Sequence, residues 1–208
     1  MKTILCYGDS NTWGAVPETG GRLSVHDRWP GVVRDSLGDG YWVIEEGLCG
    51  RTSIWMDEVC QYRSGREYLL PCLDTHSPLD LSILMLGTND LKTRLHLPAA
   101  DIARGVSVLV EMIVKSSFGP RGTSPEVLVI SPPAVLEIPG NRVQFADAAS
   151  RSAQFGELYS AYAKQNGVHF LDAGEYVKSS LLDGIHLDVS EHQKLGSIIA
   201  EKVKTILG

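Results

Sequence analysis

Five short apolar runs recur along the chain: Thr3 to Tyr7, Trp42 to Glu45, Leu81 to Leu86, Val127 to Ser131 and Val168 to Leu171. Several are near-continuous rather than alternating, the pattern of parallel strands covered on both faces. Between them the apolar spacing changes to that of helices. Asp27 to Leu37 places Trp29, Val32, Val33 and Leu37 on one side. Ala99 to Lys115 does the same with Ile102, Val106, Leu109, Val110 and Ile113. Phe145 to Gln165 reads as one helix, carrying Phe155, Leu158 and Tyr162. Ser190 to Leu207 is a last helix through Leu195, Ile198, Ile199, Val203 and Ile206. Strands alternating with helices predict a doubly wound α/β sheet of five parallel strands. Two stretches lack a clear period and read as long loops: Arg51 to Pro78, with two prolines, and Pro132 to Arg142, with three. Loops of that length in a compact domain are commonly functional or lie at an interface.

With 208 residues, no linker and no internal repeat, the chain reads as a single domain over 1–208. Hydrophobic residues make up 43% and charged residues 21%, an ordinary globular balance. The net charge of -6 gives no electrostatic reason to expect nucleic acid as a partner. No apolar run approaches the ~18 residues of a membrane span, and the first apolar run is too short for a signal-peptide core. A cytoplasmic protein is the expectation. Cys6, Cys49, Cys60 and Cys72 show no C-x-x-C spacing and no zinc-type pairing with histidine, so they read as reduced thiols, mostly packed as small hydrophobes. No cofactor and no metal are expected: G-x-G-x-x-G, the P-loop and H-E-x-x-H are all missing.

Candidate chemistry lies in four short blocks: Gly8-Asp9-Ser10-Asn11, Gly47-Leu48-Cys49-Gly50, Gly87-Thr88-Asn89-Asp90 and Asp183-Gly184-Ile185-His186. The first three follow the first three apolar runs, and the fourth precedes the last helix. Doubly wound sheets gather such positions at the carboxyl rim, where ligands bind. Ser10 can serve as nucleophile, His186 as its base and Asp183 as the acid that orients the base, three residues away. The Ser10 and Gly50 N–H groups and the Asn89 amide can donate to an oxyanion. Each residue has a plainer alternative: Ser10 as a helix N-cap, Asn89 as an Asx turn, Gly50 as a turn glycine, Asp183 and His186 as loop residues near a cap. Asp9 can order the nucleophile loop by accepting backbone N–H bonds, and Asp90 reads as a cap. Asn11, Trp13 and Ile185 flank the reactive residues and are assigned to the substrate pocket. His26, His76, His96, His169 and His192 read as structural or surface residues. The missing G-x-S-x-G elbow argues against the common α/β-hydrolases.

Those blocks resemble, over essentially the full length, the SGNH (GDSL-type) hydrolases, whose Ser, Gly, Asn and His match Ser10, Gly50, Asn89 and His186, with Asp183 in the D-x-x-H position. The stretches Gly8 to Gly14, Val43 to Leu48, Met85 to Asp90 and Asp183 to His186 are similar to the bacterial arylesterase/acyltransferase branch. The resemblance implies a flavodoxin-like three-layer α/β/α sandwich. It implies hydrolysis of short-chain and aryl esters through an acyl-enzyme, with acyl transfer to alcohols or peroxide. It also implies homo-oligomers, octamers among them, with contacts placed in Arg51 to Pro78. The partners expected are a small ester and an alcohol or water acceptor, with no membrane. Asn11 departs from the usual Leu, which bears on acyl-chain preference. Two other readings stand beside this one: a carbohydrate acetylesterase, lysophospholipase or thioesterase of the same fold, and a flavodoxin-like binding module without catalysis.

Overall fold

In the computed structural model, which describes residues 1–208, the five apolar runs form one all-parallel sheet. Its strands are β1 (Lys2–Gly8), β2 (Tyr41–Gly47), β3 (Leu81–Met85), β4 (Glu126–Ser131) and β5 (His169–Asp172). The order is β2-β1-β3-β4-β5. Side chains alternate across each strand, so β1 feeds two cores. Leu5 and Tyr7 join one cluster with residues of helices α3 (Gly65–His76), α4 (Ala99–Val114) and α6 (Phe155–Asn166). Ile4 and Cys6 join the other, with residues of helices α2 (Trp29–Leu37) and α7 (Val189–Leu207). The result is a three-layer α/β/α sandwich. No helix is long and apolar enough to cross a membrane.

Two expectations need correction. The stretch Arg51 to Pro78 is not loop throughout, since Gly65–His76 is helix α3. Leu69, Cys72 and Leu73 supply a buried face at i, i+3 and i+4, and this outweighs Pro71 inside the helix. The expected helix from Phe145 to Gln165 is two, α5 (Ala148–Ser152) and α6. The short α5 is pinned by tertiary bonds. Arg151 donates to the carbonyls of Leu97 and Leu91, and Ser152 Oγ accepts from Val135 N–H at 3.0 Å.

Helices α2 and α7 pack closely. A Cβ on Gly196 would stand 2.6 Å from Val32 Cβ and 2.9 Å from the Trp29 carbonyl. One turn earlier, His192 Nδ1 accepts the Trp29 N–H at 3.2 Å, satisfying a first-turn donor of α2 that the helix itself leaves unpaired. This bond requires neutral imidazole at Nδ1. Burial lowers the His192 pKa to about 4, with His186 adding to the effect and Asp27 opposing it. A lowered folded-state pKa on a base stabilises the fold above its unfolded value and loses that stabilisation as pH falls toward the folded value. The difference in unfolding free energy between wild type and His192→Asn therefore narrows between neutral pH and about pH 4.5, by roughly 2–3 kcal/mol. Urea unfolding of both proteins at the two pH values measures it.

Candidate active site

The strand register assembles the site. Gly8 at the end of β1 pairs with Gly47 of β2 and with Met85 of β3. Ser10, Gly50 and Asn89 lie two, three and four residues beyond those positions. All three thus leave the carboxyl edge of the sheet, Ser10 and Asn89 on either side of the point between β1 and β3 where the strand order reverses, and Gly50 from the neighbouring edge strand β2. The turns approach one another closely. A Cβ on Gly47 would lie 2.2 Å from the Trp13 backbone nitrogen, so only glycine admits this contact.

Ser10 opens the one-turn helix α1 (Ser10–Trp13). It is not the cap. Asp9 is, and its carboxylate accepts the Asn11 N–H at 3.0 Å. Ser10 Oγ lies 2.9 Å from His186 Nε2, and His186 Nδ1 lies 2.7 Å from Asp183 Oδ2. A carboxylate only accepts, so Nδ1 carries the proton and Nε2 presents its lone pair to the serine hydroxyl. Asp183 Oδ1 also accepts the N–H groups of Ile185 and His186, both at 2.9 Å, and Oδ2 accepts that of Glu18 at 3.1 Å. Partial burial pushes the Asp183 carboxyl upward. The bonds from the His186 ring and from the His186 and Ile185 backbone more than offset this and hold it well below the usual carboxylate range. The acid therefore stays ionised opposite the imidazole.

Asn89 begins a 3-10 turn, Asn89–Leu91, and its amide nitrogen is buried with no hydrogen-bond partner. A buried unsatisfied donor carries a desolvation cost of about 1–3 kcal/mol, and a ligand oxygen would remove it. Gly50 has φ +81°, a left-handed conformation that favours glycine. Asp90 is not the expected cap, since Thr88 holds that position and Asp90 lies inside the turn. It is fully buried, and its carboxylate accepts both the Ser53 N–H at 3.0 Å and the Ser53 hydroxyl at 2.5 Å. It thereby ties the segment bearing Gly50 to the turn bearing Asn89. Burial raises both Asp9 and Asp90 to about 6, against the bonds each receives. Arg51 Nη1 completes the frame by donating to the carbonyls of Gly8, at 2.8 Å, and Glu46. The sequence does not point to Arg51 or Ser53, whose bonds to Gly8 and Asp90 span 43 and 37 residues.

Asn11 requires a correction. It is buried rather than facing a substrate, and both ends of its amide are occupied. Nδ2 donates to the Ile185 carbonyl at 3.2 Å and Oδ1 accepts the Leu187 N–H at 3.1 Å. It clamps the nucleophile turn to the two residues flanking His186. Asn11→Leu orphans a buried N–H and carbonyl and is expected to destabilise the protein by about 2–4 kcal/mol; the urea midpoint reports this. Trp13, three residues after Ser10, and Ile185, next to His186, are half-buried, and Arg22 stacks 5.0 Å over the Trp13 ring. The loop from Pro132 to Arg142 holds the turn that carries Asp183 and Gly184. Leu136 N–H donates to the Gly184 carbonyl at 2.8 Å and Asn141 Nδ2 donates to the Asp183 carbonyl at 2.9 Å. Gly184 has φ +73°, and a Cβ there would meet the Leu136 carbonyl at 2.2 Å.

Residues 6–194 match the GDSL-like Lipase/Acylhydrolase family. Among solved structures, the chain is similar to the native aryl esterase of M. smegmatis, with 41% identity and a TM-score of 0.95, covering 100% of both chains. It is also similar to Est24, a carbohydrate acetylesterase from Sinorhizobium meliloti, with 36% identity and a TM-score of 0.96, again over 100% of both chains. A lipase/acylhydrolase from Enterococcus faecalis shares the fold at 17% identity, with a TM-score of 0.69 over 99% of this chain and 96% of the other. A search of curated protein sequences returns no significant match.

Proposed function

The chain belongs to the GDSL-like lipase/acylhydrolase family, and from that premise we propose that it is a serine esterase cleaving short-chain and aryl carboxylic esters. The observation that carries this reading is the continuous relay Ser10–His186–Asp183, at 2.9 and 2.7 Å, with the unpartnered amide nitrogen of Asn89 presented from the same edge of the sheet. Ser10 Oγ attacks the ester carbonyl carbon while its proton passes to His186 Nε2. The negative charge that moves to the carbonyl oxygen is met by Asn89 Nδ2 and the Gly50 and Ser10 N–H groups. As the tetrahedral intermediate collapses, the C–O bond to the leaving group breaks and His186 gives that oxygen its proton. Water, deprotonated by His186, then attacks the acyl-enzyme, releasing the acid and restoring Ser10. An alcohol in place of water yields a new ester, and peroxide yields a peracid. Trp13 and Ile185 line the acyl and leaving-group side.

Asn89→Ala removes a donor needed mainly in the transition state. It is expected to lower kcat by roughly 10²–10³-fold, about 2.7–4 kcal/mol, with a smaller change in KM. Steady-state kinetics on p-nitrophenyl acetate check this. The same assay with added alcohol tests the transfer step, since ester product formed at the expense of acetate supports it and acetate alone counts against it.

A second reading, deacetylation of carbohydrates, is favoured by the similarity to the S. meliloti acetylesterase. A panel of acetylated sugars against aryl acetates separates the two by kcat/KM. The proposal includes a homo-oligomer, for which the exposed Met56, Val59 and Tyr62 offer an apolar face. Light scattering of the purified chain reports the subunit count.

A further inference from the structure

Outside the serine site, the structure gathers three metal-type ligands that the ester chemistry does not use. Cys72 and His76 are one turn apart on α3, so both side chains leave the same face. Glu46, the penultimate residue of β2, meets them there. Its carboxylate lies 2.9 Å from His76 Nε2, and the three ligand atoms all fall within 4.8 Å of one another. The i, i+4 relation of Cys72 and His76 escapes a search for C-x-x-C spacing, and it lies in a segment whose sequence reads as loop.

We propose that Glu46, Cys72 and His76 form a site for a borderline-soft divalent cation, zinc being the one that fits. Thiolate, imidazole and carboxylate together are zinc's ligand types, whereas magnesium and calcium select oxygen alone. Bonds of about 2.0–2.3 Å to a tetrahedral ion space its ligands roughly 3.3–3.8 Å apart. The cluster reaches that spacing by opening the Glu46–His76 pair slightly and drawing the sulfur inward. Cys72 is buried, while the Glu46 and His76 side chains keep 21% and 22% of their exposure. Glu46 also lines an open cleft of about 480 Å³ with Gly47, Arg51 and Tyr68, so the Glu46 side of the cluster is open to solvent and to a water as fourth ligand. Binding releases the thiol proton to solvent, so that thiolate and carboxylate together balance the dication. This balance matters because Arg51 stands nearby, held by the Gly8 and Glu46 carbonyls and stacked 4.0 Å over the Tyr7 ring.

The proposal is independent of the ester reading and is tested with cobalt(II) as a spectroscopic stand-in for zinc. Titrating cobalt into the reduced, chelator-treated full-length protein is expected to give one equivalent per chain. A thiolate-to-cobalt charge-transfer band grows in the near ultraviolet, and zinc abolishes it. Cys72→Ser loses the band, and His76→Gln, at a partly exposed position, weakens binding by at least about tenfold. Cys49→Ser keeps both band and stoichiometry, which removes the exposed thiol from consideration. If wild type gives no saturable band, the Glu46–His76 contact is only a hydrogen-bonded pair and the proposal is wrong. A band that survives in folded Cys72→Ser, or one that vanishes in Cys49→Ser, overturns it equally.

Discussion

Ser10→Ala is expected to lower kcat for p-nitrophenyl acetate by roughly 10⁴–10⁶-fold while leaving the protein folded. The size follows from what the variant removes. Without Oγ there is no acyl-enzyme, and His186 has no hydroxyl to deprotonate. What remains is the general electrostatic field of the donors around Asn89 and Gly50, which can still favour direct attack by water. The fold is expected to tolerate the change, because the cap of α1 is Asp9 rather than Ser10, and because the nucleophile turn is held by Asn11. Circular dichroism and urea unfolding of the variant, beside its kinetics, separate lost chemistry from lost structure.

Asp183→Asn is expected to cost about 10⁴-fold in kcat with KM little changed. Asp183 Oδ2 accepts from His186 Nδ1, which fixes the tautomer that presents Nε2 to Ser10. An asparagine with its NH2 toward the ring would force the proton onto Nε2, and the serine would then face a donor. The charge that steadies the imidazolium in the transition state is lost as well. The carboxylate's other contacts, to the N–H groups of Ile185, His186 and Glu18, are backbone bonds that an amide oxygen can partly keep. The loss is therefore expected in kcat far more than in stability. A variant that retained more than about a tenth of wild-type kcat would show that His186 does not depend on Asp183.

Much of this is legible in the sequence because three of the site residues follow strands within a few residues and the other two lie close together. Ser10, Gly50 and Asn89 come just beyond β1, β2 and β3, so a correct reading of three apolar runs brings them to one rim. Asp183 and His186 are close in sequence and needed no long-range information to be paired. The features that escaped are those whose partners are distant. Asn11 looked like a substrate contact, since nothing in its neighbourhood reveals bonds to Ile185 and Leu187, more than 170 residues away. Asp90 looked like a local cap for the same reason, although its partner is Ser53. Helix α3 was obscured by Pro71, whose cost to the helix is local, whereas the burial of Leu69, Cys72 and Leu73 that outweighs it is tertiary. Missing that helix also hid the shared face of Cys72 and His76.

The clamp at Asn11 changes how the departure from the usual Leu is understood. A polar residue at that position need not alter the acyl pocket, because its amide is satisfied inside the protein. It ties the Ser10 turn to the segment bearing His186 through two hydrogen bonds. Asp90 plays a comparable part for the donors, joining the Gly50 segment to the Asn89 turn. Relay and donor set are thus each held by a buried polar side chain of their own.

Whether Ser10 is a nucleophile activated by His186 is read out by reaction with a fluorophosphonate followed by mass spectrometry of the intact protein and its peptides. One adduct per chain is expected, carried on the peptide containing Ser10. No adduct is expected in Ser10→Ala, and strongly slowed labelling in a His186→Ala variant. Wild-type protein that hydrolyses p-nitrophenyl acetate yet takes up no label at Ser10, or takes it up on another residue, would contradict that role for Ser10.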